Sequence, residues 1–254
     1  MLRFASWNGL SWVIFLLGIG GFVGATEPSA PKPSEYAPAD DLVRQADHYV
    51  KELNDAVACE SEYKDSASKL ANTSNALVVI ALTLGLHNQP NPYQASAASV
   101  MQAARAVAEA KDFSSAKKAV SQLNAAAEGK VQAAGELRWE KVASLPELMK
   151  QVPLVHTRLK AKIKGNKFRT KAAETAGYTA VLAAIAQGTM ADTSAAKNAA
   201  QEKQWRQFSA NARDAAAAVN AAIHRADPKA ADAAMKKLNQ SCEDCHAVFH
   251  PTVN

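Results

Sequence analysis

Two stretches of this 254-residue chain occur a second time further along, and the recurrence limits what it can fold into. Lys69 to Ala81 (KLANTSNALVVIA) aligns with Lys171 to Ala183 (KAAETAGYTAVLA), and Asp112 to Asn124 (DFSSAKKAVSQLN) aligns with Asp227 to Asn239 (DPKAADAAMKKLN). Both ends of one unit recur, so the chain reads as two weakly similar copies of a single structural unit. Hydrophobic residues make up 48% of the chain but aromatic ones only 6%, and alanine dominates. With no strand-like alternation anywhere, that composition predicts helix almost throughout. The expected fold class is all-α: two tandem four-helix-bundle units spanning residues 40–138 and 139–254.

Periodicity and punctuation place four helical segments in each copy. In the first they fall near 40–58, 61–87, 93–111 and 113–138, with Asn88-Gln89-Pro90-Asn91-Pro92 forcing a turn. In the second they fall near 145–163, 166–187, 195–226 and 228–250. Gly165-Asn166 ends the first of these, and Asp227-Pro228 supplies a cap and a first-turn proline for the last. Trp205, Phe208, Ala212, Ala215, Val219 and Ile223 form one apolar stripe for packing. Ala231, Met235, Leu238, Cys242, Cys245 and Phe249 form another, which turns both cysteines towards the bundle.

That last stripe carries the one motif with specific chemistry, Cys242-Glu243-Asp244-Cys245-His246. The spacing C-x-x-C-H lets two thiols capture the vinyl groups of one haem while the next residue ligates its iron, since residues three and four apart share a helix face. A thioredoxin-like dithiol needs a βαβ context that is absent here, and a closed zinc site needs a second ligand pair beyond Cys242, Cys245 and His250. In the first copy Ala127, Lys130 and Val131 occupy the matching positions. The expected cofactor is therefore a single covalent haem c with His246 as proximal iron ligand, in the second copy alone.

The N-terminus agrees with that chemistry. Residues 1–25 hold one cation, Arg3, an apolar run from Trp12 to Val23, and the small pair Gly24-Ala25. This reads as an export signal with cleavage after Ala25, an uncleaved anchor being the alternative. Export predicts a periplasmic or similar oxidising location, which disfavours nucleic acid as a partner. Residues 26–39 are proline-rich and read as an extended tether with nothing to bury.

A C-terminal C-x-x-C-H that closes a four-helix unit resembles the class II c-type cytochromes, the cytochrome c-prime group. Phe249 strengthens the likeness. Tyr178 to Gly188 (YTAVLAAIAQG) resembles the family's N-terminal helix, and Trp205 resembles a tryptophan that opens its third helix. The likeness covers about 100 residues of the second copy and implies a haem pocket lined by Phe249 and Met235. Low-spin members of the family carry a methionine as sixth iron ligand. Counting from Val181-Leu182 puts Ala172 at that position, with Phe168 and Thr175 one turn away on the same face. The resemblance so aligned implies five-coordinate iron. Met149, Met190, His156 and His224 are the other side chains able to ligate it. His250 stands where the family usually has arginine or lysine.

Two further features bear on partners. Residues 139–254 hold 17 basic and 10 acidic side chains, against 12 and 14 in residues 1–138. Arg158, Lys160, Lys162, Lys164, Lys167, Arg169 and Lys171 follow one another without an intervening acid, a patch suited to steering an acidic redox partner or to anionic lipid headgroups, or simply a solvated face. Cys59, the third cysteine, is expected to be buried, with a disulfide-linked homodimer as the alternative.

These features favour a non-enzymatic exported cytochrome acting in electron transfer, with binding of nitric oxide or carbon monoxide at five-coordinate iron as the second reading. A peroxidase-like enzyme would need a distal acid–base pair, which the sequence does not supply. The repeat predicts one haem per chain. Pigment-to-protein stoichiometry of the purified holoprotein should be one, and a value of two would overturn the assignment of the first copy.

Overall fold

The computed structural model describes residues 30–131 and 135–250, so the expected signal or anchor segment lies outside the described residues. Among the described residues there is no strand, and no helix is long and apolar enough to cross a membrane. The helices of the first copy are α1 (Ala39–Ala56), α2 (Glu60–Gly85), α3 (Ala97–Glu109) and α4 (Phe113–Ala127). The second copy contributes α5 (Leu145–Lys162), the short α6 (Lys167–Thr170), α7 (Ala172–Thr189), α8 (Ala199–His224) and α9 (Pro228–Phe249).

Local chemistry sets these boundaries. Asp112 and Ser115 form a reciprocal capping box at the start of α4. At the corresponding place in the second copy, Asp227 accepts a bond from the Ala230 amide and Pro228 opens α9. Helix α4 stops at Ala127, short of the expected residue 138, because Gly129 takes φ +71°. The amides of Gly129 and Lys130 then turn back onto the carbonyls of Ala126 and Ala125. A similar reversal between α8 and α9 uses Ala226 at φ +53°, a left-handed conformation that a side chain resists.

Each copy supplies its helices in the same order, but the two do not bury separate cores. From Pro31 onward the chain forms one compact unit, and a single apolar cluster draws on both copies. Helix α1 packs on α2 and α7, while α2 packs on α3, α5 and α7. The two helices at the centre are buried on every face, continuously from Asn72 to Leu84 and from Thr175 to Ile185. They contain the first of the two recurring stretches. A Cβ on Gly188 would sit 2.9 Å from Val79, so this glycine is what lets α7 approach α2 closely.

Many of the polar groups in this shared core are paired across helices. Asp41 on α1 is fully buried and accepts bonds from Asn220 (2.8 Å) and His224 (2.7 Å) on α8, and from Arg44 on its own helix. Asn220 also donates to the Ala176 carbonyl and the Thr179 hydroxyl of α7. Gln151 on α5 donates to Tyr49 on α1, and Arg158 pairs with Glu52 at 3.0 Å. Thr83, Thr175, Thr179 and Thr189 return their hydroxyls to carbonyls of their own helices.

Two sequence expectations are corrected here. The proline-rich segment is no tether where it is described: Pro33 nucleates a short 3-10 turn, and Tyr36 and Ala37 are buried in the core. His87 bonds the Ala37 carbonyl, and Arg213 lies over the Tyr36 ring. Cys59 is exposed, not buried, because it occupies the capping position of α2 at a helix corner, with its sulfur 3.0 Å from the Ser61 hydroxyl. That hydrogen bond holds its thiol below the usual cysteine range.

Asp41→Ala removes the buried acceptor shared by Asn220, His224 and Arg44 and should lower the unfolding free energy by about 3 kcal/mol. Chemical denaturation measures it; an unchanged midpoint would show that the network holds nothing together.

Candidate functional site

Helix α9 begins as a packing element. Ala231, Ala234, Met235, Leu238 and Ser241 are buried, chiefly against α8, and Ser241 returns its hydroxyl to the Leu238 carbonyl. Met235 thus belongs to the helix–helix core. Beyond Ser241 the helix runs to the edge of the core: Cys242 and Cys245 are half-buried, with Cys242 packed against the apolar cluster, while Glu243, Asp244, His246 and Val248 are exposed.

Phe249 then returns to the protein and fastens the end of the helix. Its ring meets Trp205 edge-on at 5.1 Å and Phe208 at 6.3 Å. Trp205 is itself fixed by a 2.8 Å bond from its indole N–H to the Thr189 carbonyl. Between the Leu238 and Phe249 anchors, the two thiols and the imidazole emerge from one helical turn. Burial pushes the Cys242 thiol up, and burial reinforced by Cys242 pushes Cys245 up to about 11, so both are neutral S–H groups near pH 7. The His246 and His250 rings lie 6.0 Å apart, and His250 is solvated.

The residues taken from the resemblance as the far wall of the pocket are not beside this turn. Trp205 joins the C-terminal ends of α7 and α9, through Thr189 and Phe249, so these two helices run in parallel. Ala172 lies 17 residues before Thr189, about 25 Å away along the helix. Phe168, Ala172 and Thr175 therefore sit at the opposite end of the bundle from Cys242 and His246. Thr175 is fully buried with its hydroxyl on the Lys171 and Ala172 carbonyls, and Phe168 is core. The error is one of register: the first helix of this copy is α5, and Tyr178 to Gly188 belongs to α7.

Helix α5 reaches α9 at His156. Leu148, Gln151, Val155 and Leu159 are its fully buried stripe, whereas Met149, Val152 and His156, spaced by three and four, form a second, half-buried stripe. His156 reaches the side chain of Asn239, one turn before Cys242. Leu145 and Leu148 share a small cavity with Gly188 and Thr189, while Lys162 meets Glu174 and Tyr178, so α5 runs antiparallel to α7 and hence to α9. Seven residues separate Met149 from His156, and seven separate Asn239 from His246. Each interval is a rise of about 10 Å, which puts Met149 level with His246.

The remaining candidates have other occupations. His224 is the Asp41 partner, and Met190 caps α7. In the basic patch Arg158 pairs with Glu52, while Lys162 and Lys171 pair with Glu174, and the patch lies towards the Ala172 end. It is partly neutralised and away from the cysteine turn. Comparison of the chain with protein-family models, with curated proteins and with solved structures finds no match.

Phe249→Ala removes the anchor that closes the motif and should cost about 2 kcal/mol, half the loss expected for a fully buried ring. A fall in the thermal midpoint should coincide with faster amide exchange in residues 242–249. Unchanged exchange there would show that Leu238 alone holds the turn.

Proposed function

We propose that this protein is an exported mono-haem c-type cytochrome, similar to the class II group, that transfers single electrons and has no catalytic residues. The observation that carries the reading is the single turn of α9 on which Cys242, Cys245 and His246 emerge together between two apolar anchors. The donor set fits haem c: two neutral thiols three residues apart, an imidazole next to the second, and half-buried apolar surface alongside. Cys242 and Cys245 would hold the haem as thioethers, each S–H adding across one vinyl C=C so that attachment would consume no oxidant or reductant. His246 would hold the iron through a ring nitrogen. When bound, the haem supplies a reversible one-electron iron couple whose potential follows axial ligand and burial.

The chain's own contribution is to fix these groups and to exclude water from one side. Met149 and Val152 lie on the half-buried stripe of α5, and Met149 would be the residue of that helix to hold the iron, through its thioether. A thioether there favours electron transfer, because it leaves no vacant iron site for a gas. The second reading, binding of nitric oxide or carbon monoxide, requires Met149 to stay off the metal.

One experiment separates these readings. Protein from a host able to mature c-type haem should, after denaturation and acid extraction, have the mass of the polypeptide plus one haem. Cys242→Ala with Cys245→Ala should have the mass of the bare chain. The holoprotein should be low-spin and indifferent to carbon monoxide, and Met149→Ala should turn it high-spin and gas-binding with its covalent haem retained. A bare-chain mass for the unaltered protein rules out the cytochrome reading; a haem-bearing but high-spin protein selects gas binding.

A further inference from the structure

A groove of about 430 Å3 lies between α1 and α4, in the copy without cysteines. We propose that it is a binding site for a small organic ammonium ion anchored by Asp47, a function separate from the haem reading.

The first observation is how the groove is built. Val50 and Asn54 on α1 and Asn124 and Ala127 on α4 line it, short side chains along the seam of two packed helices. Asn54 and Asn124 exchange two side-chain bonds, 2.7 and 2.8 Å long, and clamp the helices together there. Asp47 stands two turns before Asn54, about 10 Å along α1, with Tyr93 from the connection between α2 and α3 beside it. The volume is that of a small-molecule site, which joins apolar lining to a few fixed polar groups. Val50 and Ala127 supply the lining.

The second observation is where charge is left over. Lys51 and Glu128 also border the groove, but Lys51 is turned to Asp55 at 2.5 Å and Glu128 is paired with Lys130. The ion pairs of the described residues give Asp47 no cation. Its carboxylate accepts a 2.5 Å bond from the Tyr93 phenol. That phenol is only 5% exposed, and burial together with Asp47 pushes its pKa up, so it stays protonated and keeps donating. A buried phenol thus fixes a carboxylate on the wall of the groove without neutralising it. A fixed anion next to apolar lining selects a cation that carries an apolar body, and an ammonium group supplies N–H donors for a charge-assisted bond. A metal ion would need several oxygen ligands, whereas the amide oxygens of Asn54 and Asn124 are engaged with each other, and no group of three metal-ligating side chains occurs among the described residues.

The third observation is that these features belong to one copy alone. Leu42, Gln45, Tyr49 and Leu53 of α1 are buried at the same spacing as Leu148, Gln151, Val155 and Leu159 of α5, so the two helices share a register. In that register Asp47 matches Pro153 and Asn54 matches Lys160, while the repeat matches Ala127 to Cys242. The second copy therefore has neither the carboxylate nor the amide clamp. Where it carries a thiol, the first copy has a methyl group facing a groove.

The test uses the full chain with benzylammonium as probe and benzyl alcohol as its uncharged counterpart. Benzylammonium should give saturable shifts of backbone amide resonances in residues 47–54 and 124–128. Asp47→Asn alters an exposed side chain, so it should keep the spectrum of the folded protein and weaken binding about tenfold or more. Tyr93→Phe keeps the charge but releases it, and should weaken binding less than Asp47→Asn does. Ala127→Phe should fill the groove and abolish binding. The proposal is overturned if no saturable shifts appear, if benzyl alcohol binds as tightly as benzylammonium, or if Asp47→Asn binds unchanged. Each of those results leaves the cytochrome reading intact, since haem content should be the same in every variant.

Discussion

Two helices that touch solvent hardly at all along their middle turns are the constraint on which this fold depends. A helix buried on every side must be uniformly apolar or satisfy its polar atoms internally, and must accept neighbours at close quarters. In α2 and α7 the threonines bond their own carbonyls, alanine and glycine keep the surface thin, and Gly188 admits Val79. The other helices pack around this pair. The outer helices can then afford amphipathic sequences with one working face, and α9 uses its free face for the cysteine turn.

The site inherits its geometry from that arrangement. Trp205 ties the end of α7 to the end of α9, α5 runs back along α7, and His156 on α5 reaches Asn239, one turn before Cys242. None of these side chains is in the shared core, and the cysteine turn is among the least buried parts of the helix that carries it. Rigid backbone under a partly open surface is the arrangement expected where a prosthetic group is to be gripped.

Much of this was legible in the residues. The stripes of α8 and α9 are strongly periodic and were read with boundaries good to a few residues, and the Asp227-Pro228 cap fell where the cap rules put it. The repeat was legible in two kinds of helix: the fully buried α2 and α7, and the capped starts of α4 and α9, where Asp112 and Asp227 hold the first turn. The sequence did not reveal that the copies share a core, since periodicity identifies an apolar face without naming its partner. It misled at Tyr178 to Gly188, because an all-apolar helix has no face from which to take a register. The helix α5 itself was expected over 145–163 and forms over Leu145–Lys162 with Pro153 exposed inside it, but its half-buried stripe of Met149, Val152 and His156 was not singled out. Pro33 and Tyr36 were misread because composition cannot show that one aromatic ring has found a cavity.

The contact of α1 and α2 with α5 and α7 has a further consequence when viewed as an association. On two separate chains it would be a dimer interface, occupied only in proportion to protein concentration. Here the segment between α4 and α5 makes it intramolecular, at an effective concentration that short linkers raise to about the millimolar range. The copy without cysteines is in that sense a subunit that never dissociates. It keeps α5 and α7 covered at any dilution, and with them the helices beside which the second copy would hold its cofactor.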